Sequence, residues 1–490
     1  MVSTHGIVLR DYSDEENTDD LDEENPSDEP DEENTDHSDE ENTLDRRDLS
    51  FSNMCRLKFL LLDCIKTAFL CNIPYTLKVF GWRYCPMKTL PSADHQRYEL
   101  VEIDLTRSKI VQLWNGKKFL NKLEHLNLSD CHKLKETPDL SGAPNLKTLD
   151  LQRCYKLKTI HPSITHHKKL VELKITNCWS LETLGDKWEM SSLKKLNILE
   201  DYFRWCKIFR LPEFGECMKQ LSILTVKLGN IMELPSTFGN LVGLTELYLD
   251  LGHIGLPKPL GCFLCLKKLS LRQADPDLII SDFPLYHCCS CYCRELEVLP
   301  ELPSSLRVLD ASGCYSLDAS DVNDVISKAC CGFAESASQD GEDVFEMVIP
   351  GKGKDIPAWF EHQEQGNGVS LSFSHNCPST QTMALSLCFV FDDPNYKMEP
   401  SVICCIGKEF INKSLLKVLP WMYSGDMAIV FLNGYYVSNL LGQHNRFHIL
   451  FPNHTDYNIN TPVTRSAARW VCYQGIQDFK KRKAALELRE

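Results

Sequence analysis

The sequence predicts an α/β fold built as a solenoid, with a β-sandwich after it and a disordered acidic tail before it. Three observations carry that prediction. Leucine-led segments of the form L-x-x-L-x-L, or a close variant, recur twelve times, and four consecutive starts, Leu77, Leu100, Leu123 and Leu146, are spaced by 23 residues. After Leu317 the period stops and short apolar runs alternate with Gly, Pro and Asn turns. Residues 11–45 hold 19 Asp and Glu and no Lys or Arg. A fixed period in this range means one supersecondary unit per repeat, each burying its apolar face only against its neighbours, so the middle of the chain reads as a leucine-rich-repeat solenoid, or horseshoe.

The acidic segment comes first. It repeats one phrase, SDEENT at Ser13–Thr18 and again at Ser38–Thr43, with shorter copies at 22–25 and 31–35. Dense like charge with little apolar surface cannot offset the entropy of ordering, so residues 1–50 are expected to form a disordered tail. Ser13 and Ser38 each have a Glu three residues on, the pattern of an acidophilic kinase site. The formal net charge is −15. Removing the −19 of the acidic segment leaves +4 for the remaining residues, so the folded part is close to neutral and its overall charge specifies no partner.

Residues 51–317 carry the repeats, with starts from Leu57 to Leu306 and the weakest at Leu296. The clearest copies read L-x-x-L-x-L-x-x-C-x-x-L: Leu123, Leu126, Leu128, Cys131, Leu134, then Leu146, Leu149, Leu151, Cys154, Leu157, then Leu170, Leu173, Ile175, Cys178, Leu181. Each L-x-L step is a short parallel strand whose leucines point inward and whose alternate residues point out. Two outward columns follow. One contains Asp104, Asn127, Asp150, Lys174 and Tyr248; the other contains Ser129, Gln152, Thr176, Lys227, Asp250 and Arg272. Both mix signs and small polar groups, where a nucleic-acid groove needs a sustained basic stripe with aromatics. The candidate site is therefore a protein-binding face, with Tyr248 as its aromatic anchor.

Residues 318–343 read as a linker, 344–475 as a compact β-sandwich and 476–490 as a basic helix, whose Lys480-Lys481-Arg482-Lys483 fits a short nuclear-import cluster as well as a solvated face. The 23 cysteines are odd in number, scattered, and placed at repeated ladder positions, so they read as reduced structural thiols. The tight cluster Cys288, Cys289, Cys291 and Cys293 lacks the two separated knuckles of a structural zinc site. His166 and His167, beside Lys168 and Lys169, read as a solvated basic patch. No signal peptide opens the chain and no apolar run reaches the ~20 residues of a membrane span, so a cytoplasmic or nuclear location is expected. No nucleophile, acid–base pair, cofactor or metal constellation stands out, and the expected protein is not an enzyme.

Several motifs resemble one family in its order. Phe51, Met54, Leu57 and Leu60 form an F-x-x-M-x-x-L-x-x-L entry phrase. Leu77, Trp82, Tyr84, Pro86, Leu90 and Pro91 follow, then Leu100, Val101, Ser108, Leu113, Trp114 and Gly116, and a closing PELPSSLRVLDASGCYSL from Pro300 to Leu317. Past the repeats, Ile349, Pro350, Gly351, Ile356, Pro357, Trp359 and Phe360 match a P-G-x-x-IP-x-WF motif except for a longer loop at Lys352–Asp355. Together these resemble the plant TIR-type nucleotide-binding leucine-rich-repeat disease-resistance proteins, over their repeats and their post-repeat jelly-roll (C-JID) domain. The resemblance implies a recognition module of an intracellular immune receptor that binds a pathogen effector or a host protein. The family's TIR and ATPase domains have no counterpart here, since no G-x-x-x-x-G-K-[ST] loop occurs and Gly351-Lys352-Gly353-Lys354 lacks the Ser or Thr. The chain is accordingly read either as the sensing part of a full receptor, whose nucleotide binding and NAD+ cleavage reside in N-terminal domains, or as a decoy or adaptor working with a complete, full-length receptor.

Overall fold

The computed structural model describes residues 2–3, 6–10, 47–49, most of 51–200, most of 207–250, 263–271, and shorter stretches from 299 to 317. In the C-terminal part it describes residue 326, 344–350, 356, 359–360, 362–366, 368–372, 382–391, 403–406, 409–411, 426–433, 446–450 and 463–472. The chain divides into two compact units, one built from residues 1–200 and 204–208, the other from 201–203 and 209–490.

In the first unit the repeats form one parallel ladder. Strand Phe59–Asp63 pairs with Val79–Arg83, which pairs with Glu102–Asp104, His125–Asn127, Thr148–Asp150, Glu172–Thr176 and Lys195–Leu199 in turn. The register places equivalent residues side by side, so Ile103, Leu126, Leu149, Leu173 and Leu196 form one continuous buried row. Leu105, Leu128, Leu151 and Ile175 form the next. The fully buried leucines are those the L-x-x-L-x-L pattern directs inward, because a two-residue period alternates faces.

The first six of these strands end in the same bend. Tyr84, Arg107, Asp130, Arg153 and Asn177 all have φ between 55° and 60°, as does Cys64. A left-handed residue costs on the order of 1 kcal/mol outside glycine, and here the cost recurs once per repeat. The bend lets the following Cys turn inward. The thiols of Cys131, Cys154 and Cys178 donate to the carbonyls of Leu105, Leu128 and Leu151 at 3.1–3.2 Å. Ser108 does the same with its hydroxyl toward Trp82 at 3.2 Å. Burial pushes the Cys85 and Cys131 thiols up to about 12, and those of Cys154 and Cys178 well above the usual thiol range, so these are inert neutral donors.

The tail expectation is corrected at both ends. Gly6–Arg10 is a strand paired in parallel with Phe59–Asp63, with Ile7 buried and Arg10 within 3.4 Å of Asp63. Arg47–Leu49 pairs in parallel with Ala68–Leu70. The sequence reading grouped these residues with the acidic run because it sought a full repeat; a lone I-x-L step is enough to cap the ladder when its neighbour offers free N–H and C=O groups. Residues 11–46 lie outside the described residues.

In the second unit, strands Ile223–Lys227, Glu246–Asp250, Lys268–Ser270 and Val308–Asp310 form a parallel ladder. Lys268–Ser270 pairs directly with Val308–Asp310. The repeat start expected at Leu296 lies outside the described residues. Val308–Asp310 then pairs in parallel with Val344–Pro350, which pairs antiparallel with Asp426–Asn433. The ladder thus runs by main-chain bonds into a sheet that continues through Thr382–Phe391, Val463–Cys472 and His362–Gln365. A second sheet joins Gly368–Ser372, Arg446–Leu450, Ile403–Ile406 and Glu409–Ile411. The buried hydroxyl of Ser466 in the first sheet donates to the Gly368 carbonyl of the second at 2.6 Å. Two antiparallel sheets joined across a core of Phe345, Phe389, Phe431 and Val369 make the expected β-sandwich. Helical positions among the described residues are the four-residue α-helix Pro162–Thr165, the 3-10 helix Ser236–Asn240 and the single position Ile326.

Phe360 is buried, and Trp359 packs edge-on against Phe360 and Phe431, with the Arg469 guanidinium 4.8 Å from its ring centre. His167 is not part of a solvated patch. It is buried, its Nε2 donates to the Ala143 carbonyl at 2.9 Å, and burial lowers its pKa. No helix among the described residues is long and apolar enough to cross a membrane. The thiol cluster at 288–293, the glycine-lysine run at 351–354 and the basic run at 480–483 lie outside the described residues.

Candidate functional site

The outward faces of the first unit's strands line up into two columns. Asp104, Asn127, Asp150 and Lys174 are register partners, as the sequence predicts, and continue to Gly81 and Asn197 at either end. Two residues earlier along each strand lies a column the sequence reading passed over: Glu102, His125, Thr148, Glu172 and Lys195. The same period-two alternation that selects Asp104 also selects Glu102, so the signal was present.

Between them these columns line a shallow recess of about 420 Å³, bordered by Glu102, Asp104, His125, Asn127, Asp150 and Lys174. Its polar groups fall into two kinds. The first closes its own backbone: Asp104, Asn127 and Asp150 each accept, through Oδ1, the N–H of the residue two positions on, at 3.0, 3.0 and 3.1 Å. These side chains satisfy backbone donors at the strand end, which is why short Asp and Asn occupy the column. Asn127 also donates to Thr106 Oγ1 at 3.1 Å, Gln152 Nε2 donates to Asp150 Oδ2 at 2.9 Å, and Thr106 Oγ1 lies 3.4 Å from Ser129 Oγ. The second kind is free of that duty. Glu102 is exposed, His125 Nδ1 meets Thr148 Oγ1 at 2.9 Å, and Lys174 Nζ reaches Asp150 at 3.3 Å and Glu172 at 3.9 Å.

The face changes character toward its first strands. Val8, Phe59 and Leu61 are 47, 45 and 38 % exposed, and Leu61 is the register partner of both Val8 and Gly81. A Cβ at Gly81 would stand 2.8 Å from Leu61 Cδ2, so glycine there lets the leucine lie across the sheet. Apolar groups open to water on an otherwise polar face mark a place where a partner gains from covering them.

Of the other candidate residues, three are corrected. Thr176, Lys227 and Tyr248 are each only 5 % exposed. The Tyr248 hydroxyl donates to Glu246 at 2.7 Å and the Lys268 ammonium lies 4.9 Å from its ring centre. Neighbouring rungs thus cover the ring that alternation alone placed in solvent. The side chain of Asp250 and all of Arg272 lie outside the described residues. Beside the recess, past the bend, the rings of His132, Tyr155 and Trp179 stack at centroid distances of 4.4 and 4.0 Å. Arg153 forms a two-pronged ion pair with Asp130, whose carboxyl is held below its usual range by His132 and Arg153 against the opposing effect of burial.

Residues 351–468 match the model of the C-JID domain. In Arabidopsis thaliana, disease resistance protein RPP4 is 38 % identical over 152 residues, which is 30 % of this chain and 13 % of the relative. Disease resistance protein RML1A, from the same plant, is 30 % identical over 314 residues, 61 % of this chain and 30 % of the relative. Over these spans the chain is similar to the leucine-rich-repeat and C-JID portion of plant disease-resistance proteins. It spans less than a third of the length of either relative. Among solved structures, a leucine-rich repeat protein from Bacteroides ovatus is similar at 16 % identity and a TM-score of 0.23, covering 56 % of this chain and 71 % of that one. Repeats and C-JID domain are recognition modules rather than catalytic ones.

Proposed function

We propose that the outward face of the first unit binds a protein ligand, a pathogen effector or a host protein, in plant defence signalling within the cytoplasm or nucleus. The observation that carries this reading is the juxtaposition of an exposed apolar patch, Val8, Phe59 and Leu61, with a recess edged by Glu102, His125 and Lys174. A mixed face of this kind suits a protein surface: apolar groups supply the driving force and the charged rim sets orientation and partner choice. Asp104, Asn127 and Asp150 hold the strand ends, and Ser129 and Gln152 extend the polar rim.

The test is recovery of partners from infected leaf extract with the full chain and with two variants. Phe59→Ala/Leu61→Ala removes the apolar patch, and Glu102→Ala/His125→Ala/Lys174→Ala strips the recess of the groups that close no backbone bond. Partner recovery is expected to fall by about tenfold or more in either variant, the scale of losing one hot spot, with circular dichroism unchanged. Equal recovery with all three proteins moves binding away from this face.

The short span relative to RPP4 and RML1A favours a second, compatible reading. By resemblance, the face senses on behalf of nucleotide-binding and NAD-cleaving domains, carried in the same receptor or in a complete receptor beside which this chain acts as decoy or adaptor. Transcript sequence upstream of the Met1 codon separates these arrangements: an open frame encoding a phosphate-binding loop supports the first.

A further inference from the structure

The first unit carries two sets of lysines in different surroundings. Lys122 pairs with Glu99 and Lys147 with Glu124, in each case a carboxylate 23 residues back on the preceding repeat. Beyond the bend, Lys88, Lys109, Lys133, Lys135 and Lys158 are exposed, and none forms an ion pair among the described residues. Backbone hydrogen bonds of 2.8, 3.0 and 2.8 Å step from Lys88 to Val111, Lys135 and Lys158. These lysines therefore follow one outer ladder, with Lys109 and Lys133 next to it in sequence. Glu136 and Glu182 flank it and leave the row net positive.

The chain contains a segment of opposite charge tethered at the head of the same ladder. Residues 11–45, with 19 carboxylates and no Lys or Arg, run between two fixed strands, Gly6–Arg10 and Arg47–Leu49. Ala68–Leu70, the partner of Arg47–Leu49, lies four to six residues past the left-handed Cys64. Lys88, Lys135 and Lys158 stand at the equivalent offset, four or five residues past the left-handed Tyr84, Asp130 and Arg153. At one rung per repeat, Arg47 is five rungs from Lys158, about 25 Å at strand spacing. A chain of this length has a root-mean-square reach of about 30–35 Å, enough to cover the row.

We infer that the outer lysine row is a docking surface for an acidic polypeptide segment, and that its occupant is the chain's own residues 11–45. Each contact is a weak, solvent-screened ion pair. Their number, and a tether that holds carboxylates near the row at about millimolar effective concentration, make the association persistent at moderate salt and reversible at high salt. This association goes beyond the binding proposed for the outward face and involves none of its residues.

Zero-length carbodiimide cross-linking of the full chain, followed by digestion and mass spectrometry, tests it. The expected result is intrachain links from the carboxylates of 11–45 to Lys88, Lys109, Lys133, Lys135 and Lys158, at about fivefold or more over Lys122 and Lys147. Their yield falls about fivefold in about 0.5 M salt, as screening requires. The variant Lys88→Gln/Lys109→Gln/Lys133→Gln/Lys135→Gln/Lys158→Gln loses them without a compensating rise at Lys122 and Lys147. So, in part, does Glu15→Gln/Glu16→Gln/Glu40→Gln/Glu41→Gln, which leaves every repeat untouched and guards against misfolding of the first variant. Links spread evenly over all exposed lysines, links only between copies, or no links from 11–45 overturn the inference; displacement of the links by an oligonucleotide but not by added polyglutamate assigns the row to nucleic acid instead.

Discussion

At the scale of single residues, the cysteines carry the most information. Cys131, Cys154 and Cys178 each fill a core position and donate a hydrogen bond to a carbonyl of the preceding repeat. The Leu105 and Leu128 carbonyls also accept the Ser108 and Cys131 backbone N–H groups, so the thiol supplies a second donor to an oxygen with two lone pairs and does more than occupy volume. Desolvation keeps it protonated, and a thiolate is the reactive form. Iodoacetamide at mildly alkaline pH is therefore expected to label exposed Cys71, Cys217 and Cys265 in the native protein while sparing Cys85, Cys131, Cys154 and Cys178, with all seven labelled in denaturant. Native labelling of the ladder cysteines, read by peptide mass, would show that they are not held in the core. The pattern C-x-x-L marked three of these positions in the sequence. Ser108, which does the same job with a hydroxyl, was invisible to a search for cysteine, since the shared property is a small donor behind a left-handed residue.

At the scale of elements, the turn holding His167 gives the first unit a pH dependence. Burial lowers the His167 pKa below the usual 6.5, so the unfolded chain takes up a proton more readily than the folded one. Stability rises with pH wherever the unfolded state binds more protons. The His167 contribution is thus fully present above about 6.5 and is lost as pH falls below that value. Urea denaturation at pH 7.5 and pH 5.5 should show a lower midpoint at the acid end, and His167→Gln should narrow the difference; an unchanged difference would assign the acid loss to other groups. The His-His-Lys-Lys run looked solvated because charge and polarity dominate its sequence. What buried His167 is the Ala143 carbonyl of the preceding repeat, a partner 24 residues away. Alternation likewise placed Tyr248 outward correctly but said nothing of Glu246 and Lys268, which enclose it.

At the scale of the whole molecule, the last repeat strand and the first strand of the β-sandwich are one ladder. Val308–Asp310 pairs with Glu346–Val348, and the Ala311 N–H donates to the Val348 carbonyl at 2.8 Å. Ending the chain at residue 343 would open this edge, and an uncovered parallel strand is a template for association. Size-exclusion chromatography should find the truncated chain self-associating at concentrations where the full chain does not; a monomeric truncation would mean that another segment covers the edge. The sequence marks two domains by their different periods, but not that they share main-chain bonds.

The sequence by itself determined the period, the inward leucines, the β-sandwich and the family resemblance, because each follows from local alternation or from motifs at fixed spacing. Only the tertiary structure decided where the ladder begins and ends, which outward side chains stay in solvent, and which polar groups are consumed in closing the backbone. Those outcomes depend on neighbours 20 or more residues away: Gly6–Arg10 becomes a strand because Phe59–Asp63 offers it an edge, and Tyr248 leaves the surface because the next rung reaches over it. In a solenoid every repeat is completed by the one beside it, so a residue's environment is set by two or three repeats together.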